Sequence, residues 1–214
     1  PYYRSSRRAH IVSAFPRLAS KFEGNEYSRP LIGSCMLIGL TGRNASGKST
    51  LVNWFSNKGL RSFSCSDSIR AWLSEQGVDS SRDALIEGGR ELRRRGGPGV
   101  LAEMLLELID GDHAVVDSIR TPAEVEALRI REDFVLIEVR AEEGSRWDRM
   151  MDRSRPGDPT EKRAFLAQEA AEASAKDESG QALDATAAMA DLVVLNDGTI
   201  EELEEKLQSL WDSL

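Results

Sequence analysis

Five short apolar runs punctuate the chain, separated mostly by longer stretches with helical character. "CMLIGL" (35–40), "HAVVDS" (113–118), "FVLIEV" (134–139) and "DLVVLN" (191–196) are rich in Val, Leu and Ile, and turn residues bound them. "LRSFSC" (60–65) is the weakest of the set and reads as the second strand. Largely unbroken apolar runs of this kind belong to strands buried on both faces. Helix-length connections between them call for parallel crossovers rather than hairpins. The pattern predicts one three-layer α/β domain, a five-stranded parallel sheet with helices on both faces.

The helical stretches carry their own punctuation. One helix is predicted from Lys48 to about Asn57. "RRRGGPGV" (93–100) ends one helix and starts another, with Gly96, Gly97 and Gly99 permitting an unusual backbone path. "AQEAAEASAK" (167–176) has the Ala/Glu composition of an exposed helix. The last helix opens on a capping box, Thr199 and Glu202, and repeats Ile200, Leu203, Leu207, Leu210 and Leu214 at helical spacing. That stripe reads as core packing.

Directly behind the first strand stands "GRNASGKST" (42–50), which fits G-x-x-x-x-G-K-[ST]. Gly42 and Gly47 let the chain curl so that successive N–H groups point at a β-phosphate, and the following helix adds its positive end. Gly42, Asn44, Ala45, Ser46, Gly47, Lys48, Ser49 and Thr50 are the expected nucleotide-binding set. Lys48 would bridge β- and γ-phosphate oxygens, and the Ser49 hydroxyl would bind Mg2+. Asp117, closing "AVVD", supplies a carboxylate at another strand end and is the second expected Mg2+ ligand. ATP and Mg2+ are the cofactors this pattern predicts.

Charge narrows the class of partner. The net charge is −8, yet residues 1–35 carry +4, which leaves −12 on the remainder. An acidic body offers no broad basic face to a nucleic-acid backbone, so general nucleic-acid binding is excluded. No stretch approaches the ~20 apolar residues of a membrane span. Cys35 and Cys65 lie at or in predicted strands and read as buried free thiols, as in a reducing cytosol. A cytoplasmic location is expected. The Arg- and Ser-rich segment before Glu23 has the composition of an organellar transit peptide, the minority reading. The main reading is a non-catalytic extension over 1–30, because the chain opens on Pro1 and Met36 stands just before the first strong strand. The working domain is expected over 31–214.

Arginine decides where the phosphate goes, because its planar fork grips phosphate oxygens in pairs and stays charged. Asp67 and Arg70 follow the second strand in "CSDSIRAWL", at the sheet end that faces the phosphate loop. Arg120 follows Asp117 in "DSIR". "RWDRMMDRSRPGD" (146–158) concentrates Arg146, Arg149, Arg153 and Arg155 after the fourth strand, the first three on one helical face. Neither His10 nor His113 has a catalytic reading.

From about Leu37 to Trp211 the chain resembles the nucleoside monophosphate kinase group of P-loop proteins. More narrowly it resembles the small archaeal-type predicted nucleotide kinases related to dephospho-CoA kinase. "GLTGRNASGKST", "FSCSDSIR", "GRELRRRGGPGVLAEML", "VVDSIRTPAEVEALR", "RWDRMMDRSRPGD" and "ADLVVLNDGTIEEL" carry the resemblance by their order and spacing. It implies a P-loop NTPase fold with a helical acceptor-binding region at about 66–112 and a short Arg-rich lid at about 143–160. Asp67 and Arg70 would line the acceptor pocket, Arg120 would hold the acceptor phosphate, and Arg94 would lie on the helical insert. Arg149, Arg153 and Arg155 would belong to the lid, and Asn196 and Gly198 would sit against the adenine. Arg43 and Asn44 depart from the glycine-rich forms of the loop, and "DSIR" replaces the "DG-x-PR" of adenylate kinases.

The implied activity is ATP- and Mg2+-dependent transfer of the γ-phosphoryl group to a nucleoside monophosphate or a similar nucleotide-like acceptor. Catalytic roles fall on Lys48, Arg120, Arg149, Arg153 and Arg155, which align the groups and spread positive charge over the transition state. Dephospho-CoA kinase is the alternative, with Asp67 orienting or deprotonating the acceptor hydroxyl. A regulatory ATPase acting on a protein partner is the alternative of another class. The acceptor's identity and the oligomeric state stay open on the sequence.

Overall fold

The apolar runs form strands β1 (Leu37–Thr41), β2 (Arg61–Ser64), β3 (Ala114–Asp117), β4 (Phe134–Arg140) and β5 (Leu192–Leu195) in a computed structural model. It describes residues 36–109, 111–174 and 180–214. The expected extension over 1–30, the domain start near residue 31, His10 and Cys35 lie outside the described residues. Every strand pairing is parallel, and the order across the sheet is β2-β3-β1-β4-β5. This is the predicted five-stranded parallel sheet.

Nine helices connect and cover it among the described residues: α1 (Lys48–Asn57), α2 (Cys65–Glu75), α3 (Arg82–Gly96), α4 (Val100–Ile109), α5 (Pro122–Leu128), α6 (Glu143–Arg153), α7 (Lys162–Ala173), α8 (Leu183–Ala187) and α9 (Ile200–Trp211). The two-residue period of a strand deals side chains to two cores. Leu37, Ala114, Val116 and Leu136 join Ile69, Leu92, Leu101 and Leu128 from α2 to α5. Ile38, Leu40, Val115, Ile137 and Val139 join Leu51 and Phe55 of α1 and Leu203 and Leu207 of α9 on the opposite face. Helices therefore lie on both faces, and the interior strands carry no polar face because neither face meets water.

Three local readings change. Cys65 is buried with a free thiol, as expected, but it opens α2 rather than ending a strand. Ser64 stops β2 by capping the helix, its hydroxyl accepting from the Ser66 N–H at 3.3 Å. α9 has the predicted Thr199–Glu202 capping box, and Leu203 and Leu207 are core. The outer members of the predicted stripe, Ile200 and Leu214, are 50% and 42% exposed, and Leu214 lies beyond the end of α9. α7, read as an exposed Ala/Glu helix, buries Phe165, Glu169 and Glu172. Those carboxylates face arginines from distant segments. His113 serves structure: its Nδ1 accepts from the Met36 N–H at 3.1 Å. No helix among the described residues is long and apolar enough to cross a membrane.

Candidate active site

Chain segments leaving the carboxyl ends of β1, β2 and β3 open into one cavity of about 610 Å3. Parallel sheets bind ligands at this end, because loops and helix N-termini converge there. The loop after β1 forms the first wall. Gly42 has φ 131°, and a Cβ there would stand 2.3 Å from the Val139 carbonyl oxygen. Gly47 has φ 103° and leads into α1; a Cβ there would stand 2.1 Å from Asn196 Nδ2. Ala45 holds φ 57°, a left-handed conformation that costs a non-glycine residue about 1–2 kcal/mol.

Side-chain hydrogen bonds hold the loop in this shape. Asn196, buried after β5, donates from Nδ2 to the Ser46 carbonyl at 2.9 Å, and its own carbonyl accepts from Arg149 Nη2 at 2.7 Å. The two unusual loop residues are tied to distant segments. Arg43 donates to Asp184 at 2.7 Å, and Asn44 donates to Glu172 at 2.7 Å. Lys48 Nζ folds back onto the carbonyls of Gly42 and Arg43 at 2.7 and 2.8 Å. Withdrawal from water brings the Lys48 pKa down to about 8; Asp117 pulls it up and Arg120 pulls it down.

Asp117 ends β3 at the cavity and Ser118 follows it there, the Ser118 N–H donating to Asp117 Oδ1 at 2.6 Å. Among the described residues no cluster of three or more His, Cys, Asp or Glu forms a metal cage. The two residues expected to hold Mg2+, the Asp117 carboxylate and the exposed Ser49 hydroxyl, both line the cavity. That set fits Mg2+, which takes one or two protein ligands and the rest from phosphates and water.

The other walls carry the arginines. Arg70 lines the cavity and is held by Asp67 at 3.0 Å and by Ser66 Oγ at 3.2 Å; Asp67 itself stands behind it. Arg120 donates to Gln181 at 2.9 Å. Its backbone N–H donates to Glu124 Oε2 at 2.8 Å, and Glu124 also receives Arg93 Nε and Nη2 at 3.2 and 2.7 Å. Arg153 and Arg155 reach the cavity from the end of α6 and the turn behind it. Arg153 grips Asp158 through Nε at 2.8 Å and Nη2 at 3.1 Å.

Of the three arginines that share a helical face by spacing, only Arg153 reaches the cavity. Arg146 is buried against Glu169 and the Ala141 carbonyl, and Arg149 is turned to Asn196 behind the loop. Arg94 stands on the exposed side of α3 in an ion pair with Glu91, while its neighbour Arg93 lines the cavity. Gly42, Ser46 and Thr50 of the expected nucleotide-binding set do not line the cavity, nor do Asn196 and Gly198 after β5. Arg82, Asp158 and Glu172 line it and drew no notice in the sequence. Glu169 and Glu172 do share one helical face by their spacing; the arginines that neutralise them are too distant in the chain to flag them.

No protein-family model matches the chain. It is similar to UPF0200 protein PH1008 of Pyrococcus horikoshii, 26% identical over 183 residues that span 82% of this chain and 95% of the relative. Among solved structures, TT1252 from Thermus thermophilus shares the fold at a TM-score of 0.57 and 21% identity, covering 85% of this chain and 98% of that one. Shikimate kinase from Bacteroides thetaiotaomicron does so at 0.55 and 15% identity, covering 83% and 98%. The chain thus has the fold of P-loop kinases and a sequence similar to an archaeal UPF0200 protein.

Proposed function

We propose that the protein is an ATP- and Mg2+-dependent small-molecule kinase that passes the γ-phosphoryl group to a nucleoside monophosphate or a similar nucleotide-like acceptor. One observation carries the reading. Lys48, Ser49 and Asp117 share a single cavity with Arg70, Arg120, Arg153 and Arg155. A water-directed NTPase needs the first group; a second anionic substrate and a closing lid account for the rest.

Each residue then has a task. The loop N–H groups and the N-terminus of α1 receive the donor phosphates. Lys48 leaves the Gly42 and Arg43 carbonyls for the β- and γ-phosphate oxygens. Ser49 and Asp117 would hold Mg2+, which supplies positive charge against the phosphate chain when bound. Arg70, oriented by Asp67, and Arg120, oriented by Glu124, hold the acceptor in line. Arg153 and Arg155 belong to a lid over about 143–160, whose closure excludes water and suppresses hydrolysis. Arg149 and Asn196 act from behind, bracing the loop on which the donor rests.

The test is ATP consumption with Mg2+ against a panel of nucleoside monophosphates, deoxynucleotides and dephospho-CoA, with Lys48→Ala as control. The reading predicts strong stimulation by one acceptor, lost in the variant. Slow hydrolysis indifferent to every acceptor would overturn it in favour of an ATPase directed at a protein partner.

A further inference from the structure

Three guanidinium groups and two carboxylates cross the cavity in one ion network. Asp158, in the turn behind α6, takes both Arg153 contacts and accepts from Arg82 Nη1 at 3.4 Å. Glu172, on α7, accepts from Arg82 Nη2 at 2.9 Å and from Arg120 Nη1 at 3.5 Å. Both carboxylate side chains are only 7% exposed. Buried carboxylates persist where cations neutralise them, and here those cations are arginines on a ligand cavity. Arg82 joins the two clusters from the first turn of α3.

Glu172 does not satisfy the donors around it. Its Oε1 is shared between Arg82 and Gln168, and its Oε2 between Asn44 and Arg120. The contact to Arg120 is stretched to 3.5 Å, and Arg82 Nε is buried with no partner. Nε and Nη2 form one edge of a guanidinium, the edge that takes an oxyanion through two parallel bonds. On Arg82 that edge is half used. A terminal phosphate offers three oxygens where a carboxylate offers two, enough for Nε and Nη2 of Arg82 and Nη1 of Arg120 together.

We propose that Arg82 and Arg120 form an anion subsite for the acceptor's phosphate group, and that Glu172 is the resident group this phosphate displaces. Assigning the phosphate to the acceptor rests on the kinase reading; the anion subsite does not. The acceptor is accordingly a phosphate monoester, bound by one arginine from the helical region and one from the end of β3. Glu172 keeps its hydrogen bond from Asn44 and remains as a wall of the cavity.

The test uses inorganic phosphate as the probe. It is titrated calorimetrically into the full chain with the phosphate loop filled by Mg2+ and a non-hydrolysable ATP analogue. Glu172→Gln, which keeps the shape and removes the competing charge, is predicted to bind phosphate about tenfold more tightly than the wild type. Arg82→Gln is predicted to bind it at least about tenfold more weakly. Unchanged phosphate affinity in both variants overturns the subsite. Should Glu172→Gln lack a cooperative melting transition, Arg82→Gln decides alone, and wild-type affinity there overturns the proposal. The titration needs no turnover, so its result is separate from the kinase reading. Tighter phosphate binding in Glu172→Gln with no acceptor-stimulated ATP consumption keeps the subsite and removes the kinase.

Discussion

Asn196 donates from Nδ2 to the carbonyl of Ser46 at 2.9 Å, across 150 residues of sequence. The contact exists because Gly47 has no side chain in its path. It fixes the phosphate loop to the end of β5, so the loop is shaped before any nucleotide arrives. Asn196→Ala is predicted to lower stability by about 1 kcal/mol, the net worth of one buried hydrogen bond, and to weaken nucleotide binding severalfold. Gly47→Ala should do far more, since it combines φ 103° with a clash against Asn196. Chemical denaturation and nucleotide titration check both, and wild-type nucleotide affinity in Asn196→Ala would show that the brace is idle.

The lowered pKa of Lys48, about 8 against an ordinary 10.5, gives two pH dependences. Between these values the unfolded chain binds the proton that the folded chain has released. The contribution of this group to stability therefore rises with pH across that window, and below pH 8 the full cost of burying the charge is present. Donor phosphates favour the charged ammonium, so binding above pH 8 takes up a proton. Nucleotide affinity is predicted to fall as pH rises past 8, by up to about tenfold per unit. Titrations from pH 7 to 10 in wild type and Lys48→Met check this; an equal slope in the two would assign the effect to another group.

Arg93 and Glu124 form a buried pair, 4% and 0% exposed at their side chains, and Glu124 also receives the N–H groups of Arg120 and Thr121. Removing one partner strands the other charge. Glu124→Ala is predicted to cost about 3–5 kcal/mol and to release Arg120 from its place. Arg93→Met combined with Glu124→Leu should be much milder than the sum of the single changes. Thermal melts of the three variants decide, and additive losses would contradict the pairing.

The strands and the shape of the glycine loop were legible because both are local signals. Unbroken Val/Leu/Ile runs report burial on two faces, and "GRNASGKST" carries its geometry in its glycines. The cavity's ionic wiring was not legible. Glu172 meets Asn44, Arg82 and Arg120 from the loop, α3 and the end of β3, and nothing in "AQEAAEASAK" records those partners. Arg146 and Arg149 share a helical face with Arg153 by spacing, and the resemblance implied a lid role for Arg149. Packing sends one to Glu169 and the other to Asn196. Cys65 was placed in a strand because its burial resembles that of one, whereas the Ser64 cap had already turned the chain.

Arg153 is fastened to Asp158 by two hydrogen bonds, which tie it to its own turn. In the proposed reaction it leaves Asp158 for the transferring group. Arg153→Ala is predicted to lower acceptor-dependent turnover by about a hundredfold or more, with a smaller effect on nucleotide affinity. Steady-state kinetics and nucleotide titration separate these effects, and near-wild-type turnover would remove Arg153 from the lid assignment.

In the proposed reaction the γ-phosphate passes to a second small molecule. The most direct test follows a radiolabel on the γ-phosphate of ATP, with Mg2+ and each candidate acceptor, and asks which molecule carries it afterwards. Label is expected on one phosphate-bearing acceptor and almost none in inorganic phosphate, with neither product formed by Lys48→Ala. Label recovered as inorganic phosphate at the same rate with every acceptor would contradict it.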